Sequence, residues 1–430
     1  MKRFKTMDGG NPLAAADIAQ NFDDLHPPLS AAQAVVESAR CLYCYDAPCV
    51  NACPTGIDIP RFIHQIRSGN LDGSARTILS ANIMGGTCAR ACPTEVLCEE
   101  VCVVHHSEGG PVKIGELQRH AVDHLLAAAG PHPFQRAAAS GKTLAVIGAG
   151  PAGLAFAHRA AVLGHDVVVY DAKAKAGGLN EYGLAAYKMA GDFAQREVAF
   201  LLEIGGIEVK TGEIAHWQEL RQSHDAVFIG AGLPATRRLN IAGEDLSGVR
   251  DALDFIEELR RADDKANGAS VPADVVVIGG GNTAIDAALQ ARCLGARRVT
   301  LAYRRGPENM SATRWEQELA STNGVIMRYH AVPKAFIGDT AVEAVDFGDE
   351  RVAASLVLKA IGQMLPDQAF DGLKREGGKL WVDEHYQTSV AGVYAGGDCI
   401  ARGQDLTVQA VEDGKRAAEA ADRWLRGAMA

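Results

Sequence analysis

Eight of the chain's ten cysteines lie in one short segment. They read Cys41-x2-Cys44-x4-Cys49-x3-Cys53-Pro54, then Cys88-x3-Cys92-Pro93-x4-Cys98-x3-Cys102. Soft thiolates crowded at such spacing hold soft metals. Structural zinc modules pair two C-x2-C knuckles per ion. Here only Cys41 and Cys44 have that spacing. In two-cluster ferredoxins the cysteine before a proline, at the end of a run, ligates the other cluster. Cys53 before Pro54 therefore reads as crossing between groups, and spacing alone assigns eight thiolates to iron–sulfur clusters. Zinc is the alternative. Cys293 and Cys399 stand alone, read as small buried hydrophobes, and give no C-x-x-C pair for dithiol chemistry.

Directly downstream are two glycine-rich turns. Gly148-Ala149-Gly150-Pro151-Ala152-Gly153 follows an apolar strand at 144–147, opens a helix at 153–163 and is followed by a second strand at 166–170. Gly148 makes the tight turn, Gly150 lets backbone approach a pyrophosphate, and Gly153 allows close helix packing. The helix N-terminus offers its positive end to the phosphates. The second copy is Gly279-x-Gly281-Asn282-Thr283-Ala284, with strands expected at 274–278 and 299–303 and a helix at 282–294. Duplicated nucleotide folds imply two nucleotides held so that one can react with the other. The first copy continues into Asp171, placed to accept ribose hydroxyls, and the second into Arg304 and Arg305. Guanidinium pairs with a 2′-phosphate that a carboxylate repels. The first site suits FAD, and the second a nicotinamide cofactor with a lean to NADPH. An ordinary solvated basic turn is the alternative for the arginines. Gly178 and Leu179 join the expected nucleotide-binding set. A late Val393-Tyr-Ala-Gly-Gly397-Asp398 resembles the strand end of disulfide-reductase-like flavoproteins, whose aspartate meets the flavin's ribityl–phosphate arm. A helix starting near Thr407 would aim its N-terminus at the flavin ring, favouring negative charge there.

Other elements must position these groups. Residues 1–30 read as a weakly structured lead. Helices are expected at 30–40, at 58–81 as two pieces split by Gly69-Asn70, and at 115–129, with a linker at 130–140 marked by Pro131 and Pro133. Further strands are expected at 356–361 and 393–396, and a closing helix at 406–426. The composition, 47% hydrophobic and 22% charged, is that of a globular protein. The formal charge of −10 and the lack of a basic stripe argue against a nucleic-acid partner. No signal peptide and no convincing membrane span is visible, so a cytoplasmic protein is expected.

The cysteine run Cys41-Leu-Tyr-Cys-Tyr-Asp-Ala-Pro-Cys49, Cys92-Pro-Thr, Gly109-Gly-Pro-Val-Lys-Ile-Gly-Glu-Leu-Gln118 and the first glycine turn resemble the electron-input half of dihydropyrimidine dehydrogenase. The likeness is to the FAD/iron–sulfur subunit of the bacterial enzyme, related to the small subunit of glutamate synthase. It implies an α plus α/β fold: an all-helical domain with two 4Fe–4S clusters at 1–135, then two Rossmann-like domains. These would be an FAD domain at 141–240 and 356–430, with an NAD(P) domain inserted at 241–355. It also implies one cluster on Cys41, Cys44, Cys49 and Cys102, and another on Cys53, Cys92, Cys98 and Gln118, leaving Cys88 a non-ligand. Glutamate synthase small subunits carry a carboxylate in place of Gln118. No FMN barrel is present in the sequence, so the chain is expected to take hydride from NAD(P)H onto FAD. It would then pass electrons through its clusters to an FMN-containing partner with its own iron–sulfur clusters, which reduces uracil or thymine. The bacterial enzymes are NADH-dependent, against the lean from Arg304. Hydride transfer between nicotinamide and flavin needs orientation more than acid–base groups. No catalytic acid or base is named, and His105 and His106 read as surface residues. The alternatives are a glutamate-synthase-like small subunit and a non-enzymatic zinc and nucleotide module.

Overall fold

The computed structural model describes residues 1–6, 12–128, 130–265 and 270–427. The chain divides into two units, one of 26–181, 191–234 and 364–430, the other of 1–25, 182–190 and 235–363.

The larger unit starts with short helices: Ala31–Ser38, Pro48–Ala52, Ile59–Arg67, Leu71–Ala81, Gly85–Ala91 and Ile114–Ala127. Their starts are written locally. Ser30 and Gln33 form a reciprocal capping box, Asp58 accepts from Arg61 N, and Asn70 accepts from Gly73 N. Ile59, Phe62, Ile63 and Ile66 recur at helical spacing and are all buried, meeting Ile78, Leu79, Leu117 and Val122 in one core. The last helix ends at Ala127, and Ala129 of the expected span lies outside the described residues.

Behind these helices is a five-stranded parallel sheet. Its order is Val393–Ala395, Ala226–Ile229, Thr143–Ile147, Asp166–Asp171, Ile207–Thr211. Strands buried on both faces read as continuous apolar runs, as Thr143–Ile147 and Ala226–Ile229 do. The strand order reverses between Thr143–Ile147 and Ala226–Ile229, and ligands of open α/β sheets bind at the carboxyl ends beside such a switch. Helix Pro151–Val162 packs on the closing helix Thr407–Leu425.

The other unit repeats the plan. Its parallel sheet runs Val249–Asp251, Leu356–Ala360, Asp274–Gly279, Arg298–Ala302, Val325–Arg328. A three-stranded antiparallel sheet of Ala335–Ile337, Ala344–Asp346 and Arg351–Ala353 accompanies it; the sequence reading did not foresee this sheet. The N-terminal lead is a correction as well. It contains helix Ala15–Asn21, and Phe4, Ile18, Phe22 and Leu25 are buried in this unit's core. Phe4 N donates to Asn323 Oδ1 at 2.8 Å, and Asn21 Nδ2 donates to Cys293 O at 3.0 Å. Residues 7–11 of the lead lie outside the described residues; Phe4 and Asn21 are held by partners some 300 positions away, which no local pattern reveals. The segment 182–190 joins this unit through a buried ion cluster: Lys188 Nζ lies 2.8 Å from Asp286 and 2.6 Å from Glu316.

Candidate functional site

The first glycine turn sits at the carboxyl end of the central strand. Gly148 has φ +99, and a Cβ there would meet Gly230 O at 2.5 Å. At Gly153 a Cβ would stand 1.9 Å from Gly148 O, so only a hydrogen fits. Helix Pro151–Val162 begins at Gly150 with no side-chain cap, so its start offers an anion the positive end of the helix. Ala152 is buried beneath the turn. Gly178 lies against Gly150, and Leu179 opens the short helix Leu179–Tyr182 with 39% of its surface exposed. Asp171 ends the second strand. One of its carboxylate oxygens accepts from Ala149 N at 2.6 Å and the other from Lys173 N at 2.8 Å. Each oxygen keeps a lone pair for a further donor.

Across the switch, Gly397 and Asp398 form the turn after Val393–Ala395. Burial pushes the Asp398 carboxyl up to about 6, and Asp405 adds to the rise. The turn is held by Asp413, which the sequence reading missed. Asp413 is 1% exposed and accepts from Gly397 N at 3.0 Å, Tyr386 OH at 3.1 Å and Gln409 Nε2 at 2.8 Å. Thr407 heads the closing helix, again without a side-chain cap, and its hydroxyl donates to the buried Asn180 Oδ1 at 3.1 Å. Asn180 was missed too. Its only signal is a polar residue two places after the Gly177-Gly178 pair. The cradle of glycines, the uncapped helix starts and Asp398 together fit a dinucleotide carrying a pyrophosphate, a polyol arm and a ring.

In the other unit, Gly279 repeats the geometry of Gly148, with Ala360 O at 2.3 Å from a would-be Cβ. Helix Asn282–Cys293 starts at Gly281 without a side-chain cap. Asn282 Oδ1 accepts from Thr313 N at 3.3 Å, Thr283 is half-buried and Ala284 fully buried. Arg304 is exposed just past strand Arg298–Ala302. Arg305 Nε donates to Tyr303 OH at 3.1 Å. The structure therefore leaves Arg304 available to an anion and ties Arg305 to the neighbouring tyrosine.

The cysteines divide spatially. Cys41, Cys44, Cys49 and Cys102 line one cavity, walled by Ile59, Ile63, Val112 and Ile114. Burial raises the Cys49 thiol to about 11, with Cys41 and Cys102 adding to it. Burial also raises Cys41, with Cys102 and Cys44 contributing. The second group is Cys53, Cys88, Cys92 and Cys98. Burial puts the Cys92 thiol well above its ordinary value, and Cys88, Cys98 and Cys53 push it further. Among the described residues no three His, Cys, Asp or Glu side chains converge as a lone ion would need. Gln118 is buried, and its Nε2 donates to Gly85 O at 2.7 Å, which fixes the amide plane. Cys88 is 3% exposed. Buried thiols that raise one another's pKa suit a soft cation, whose binding replaces the protons. Cys293 and Cys399 are fully buried in the two cores. His105 is half-buried and His106 exposed. No helix among the described residues is long and apolar enough to cross a membrane.

Comparison with known proteins agrees with this layout. The family described as dihydropyrimidine dehydrogenase domain II, 4Fe-4S cluster, matches residues 18–129, and that described as pyridine nucleotide-disulphide oxidoreductase matches residues 142–414. The chain is 33% identical over 416 residues to the NAD-dependent dihydropyrimidine dehydrogenase subunit PreT of Escherichia coli K12, covering 95% of this chain and 98% of that one. It is 32% identical over 444 residues to the glutamate synthase (NADPH) small chain of Azospirillum brasilense, covering 94% and 92%. Among solved structures, Mycobacterium tuberculosis FprA in complex with NADPH aligns with TM-score 0.55 at 18% identity, over 67% of this chain and 85% of that one. Lactococcus lactis thioredoxin reductase aligns with TM-score 0.54 at 21% identity, over 66% and 99%. These two likenesses establish the fold. In this chain the segment matching the 4Fe-4S family precedes the one matching the nucleotide-binding family, and the alignments to both relatives run through the two segments. The chain thus belongs to the pyridine nucleotide-disulphide oxidoreductase family, with PreT subunits of NAD-dependent dihydropyrimidine dehydrogenase and glutamate synthase small chains among its relatives.

Proposed function

We propose that this chain is the electron-input subunit of an NAD(P)H-dependent dihydropyrimidine dehydrogenase. It would hold FAD, two 4Fe–4S clusters and a nicotinamide, and deliver electrons to a separate FMN-containing subunit that reduces uracil or thymine. The observation that carries this reading is the thiol cavity of Cys41, Cys44, Cys49 and Cys102, in the same unit as the uncapped glycine turn at Gly148–Gly153. When bound, the flavin accepts hydride from the nicotinamide and the clusters carry single electrons.

The protein's own residues bind and orient. Gly148, Gly150 and Gly153 bring backbone to the pyrophosphate, and Pro151 and Ala152 shape the first helical turn. Asp171 would take the ribose, Asp398 the polyol arm, and the uncapped helix start at Thr407 would favour negative charge on the ring. Gly279, Gly281, Asn282, Thr283 and Ala284 do the same for the nicotinamide cofactor, with Arg304 meeting a 2′-phosphate and Arg305 beside it. Cys41, Cys44, Cys49 and Cys102 hold one cluster. Cys53, Cys92 and Cys98 hold the other with Gln118, whose anchored amide presents its oxygen. The domains follow the expected limits 1–135, 141–240, 241–355 and 356–430, with residues 356–363 moved to the nicotinamide domain because strand Leu356–Ala360 lies in its sheet. The unit division adds that residues 1–25 pack with the nicotinamide domain.

The glutamate-synthase-like reading draws on the similarity to the A. brasilense chain, but the resemblance implies a carboxylate where this chain has Gln118. The test is reconstitution. The isolated, cofactor-loaded chain should oxidise NAD(P)H with ferricyanide and form no dihydrouracil. Adding an FMN-carrying dihydropyrimidine-forming subunit should start dihydrouracil production. Dihydrouracil from the isolated chain would contradict the proposal, as would glutamate formation with a glutamate-forming subunit and no coupling to the pyrimidine one.

A further inference from the structure

A line of buried contacts runs from the start of the closing helix to Gln118. Thr407 Oγ1 donates to Asn180 Oδ1 at 3.1 Å, and Asn180 Nδ2 donates to Met84 Sδ at 3.7 Å. Asn180 is 2% exposed and Met84 1%. Met84 is bonded to Gly85, whose carbonyl accepts from Gln118 Nε2 at 2.7 Å. This short stretch is gripped from several sides. Glu197, on helix Phe193–Leu202, accepts from Gly86 N at 2.8 Å, from Thr87 N at 2.9 Å and from the Thr87 hydroxyl. Asn82 Oδ1 accepts from Met84 N at 3.0 Å. Arg90 donates to Gly86 O at 3.0 Å and lies 3.4 Å over the Phe193 ring.

A buried carboxylate is expensive unless its oxygens are well supplied with donors. Glu197 is 2% exposed and spends that burial on holding three donors of a single turn. An apolar contact would pack helix Gly85–Ala91 against helix Phe193–Leu202 more cheaply, but it would not fix backbone position. What the carboxylate adds is a fixed place for Gly85–Thr87, and so for the adjoining Met84 and the Gln118 amide. Met84 supplies a polarizable thioether in a dry, close-packed setting.

We propose that Met84–Gly85 is the exit by which electrons leave the flavin pocket for the cluster that Gln118 completes, with Glu197 as the positioning residue that holds it. The inference rests on the flavin and cluster reading above. The step it serves is balanced. Hydride from NAD(P)H brings the flavin two electrons and one proton. The two electrons leave singly, each reducing one cluster by one electron, the proton goes to solvent, and no bond to the protein forms or breaks.

The test is anaerobic stopped-flow of the FAD- and iron-loaded chain with NAD(P)H, following flavin and iron–sulfur absorbance separately, with freeze-quenched EPR. Met84→Ala opens a gap in the exit. Cluster reduction should slow by roughly tenfold or more, the scale of loss that small misplacements cause, while flavin reduction keeps its wild-type rate. Met84→Leu should restore packing and most of the rate. Glu197→Ala is the second variant and should both slow cluster reduction and alter the EPR signal of one cluster. Glu197→Gln, which keeps an acceptor for Gly86 and Thr87, should restore the signal. Wild-type cluster reduction in Met84→Ala and Glu197→Ala, with flavin bound and reduced, overturns the exit. A chain that binds no FAD overturns the flavin reading itself, and FAD content distinguishes the two failures.

Discussion

Replacing Asp398 by asparagine should stabilise the flavin-free chain while weakening its hold on FAD. Burial raises the Asp398 carboxyl to about 6, with Asp405 adding to it and Lys379 opposing. The unfolded side chain loses its proton near the ordinary aspartate value of 3.8. Between these values the folded state binds more protons than the unfolded, so stability falls as pH rises through the window, and above it the whole penalty is in place. A rise of about two pH units, at 1.36 kcal/mol per unit, gives roughly 3 kcal/mol. About half of that accrues between pH 5 and pH 8. The asparagine side chain cannot ionise and escapes the penalty. Glu197 and Glu99, each raised to about 7 by burial, bend the wild-type profile in the same direction. The difference between variant and wild type therefore isolates Asp398. Urea denaturation of flavin-free protein at pH 5 and pH 8 is the assay. Asp398→Asn should be the more stable at pH 8, by about 2–3 kcal/mol, and the gap should shrink to about half at pH 5. With FAD added the order should turn. Losing a hydrogen bond to a charged acceptor removes about 1.5–3 kcal/mol, or roughly ten- to hundredfold in affinity. A variant no more stable than wild type at pH 8 that binds FAD equally well would refute the argument. Asp398 would then be neither strained nor in the flavin pocket.

Two further outcomes follow from single side chains. Cys88→Ala should keep both clusters, measured by iron content and EPR, whereas Cys102→Ala should lose one; loss of a cluster in the Cys88 variant would make Cys88 the ligand in place of Gln118. Arg304 stands exposed after strand Arg298–Ala302, so NADPH should be used at least as well as NADH. Arg304→Ala should lower kcat/KM for NADPH roughly ten- to hundredfold, from about 1.5–3 kcal/mol per charge-assisted hydrogen bond, and leave NADH unchanged. A wild type that strongly prefers NADH, with NADPH use unmoved by the substitution, would make Arg304 a solvated surface residue.

Much of the site was legible because its signals are local. Gly148 and Gly279 stand between an apolar strand and a helix, and steric necessity writes glycine there: a Cβ would collide with Gly230 O or Ala360 O. Apolar residues at helical spacing between the cysteine groups, such as Phe62, Ile63 and Ile66, are buried as that spacing requires. The residues that escaped notice act over long sequence distances. Asp413 is an acid in an alanine-rich helix until the fold brings Gly397 and Tyr386 to it. Glu197 looks like a solvated helix residue until it meets Gly86 and Thr87, 110 or more positions earlier. Phe4, Ile18 and Phe22 are too sparse to read as a core, and their burial depends on partners from 182–190 and 235–363. Composition and periodicity describe what a segment wants to bury, and not where along the chain its partner lies.

On the proposed function, electrons enter this chain from a reduced nicotinamide and lodge in its own iron–sulfur clusters. The most direct measurement is metal and flavin analysis of anaerobically purified chain, followed by EPR before and after addition of NAD(P)H. A brown protein is expected, with one FAD and about eight irons, four per cluster, and 4Fe–4S signals that grow on adding NAD(P)H alone. A colourless protein with stoichiometric zinc would contradict it. So would clusters that dithionite reduces but NAD(P)H, with FAD bound, leaves untouched.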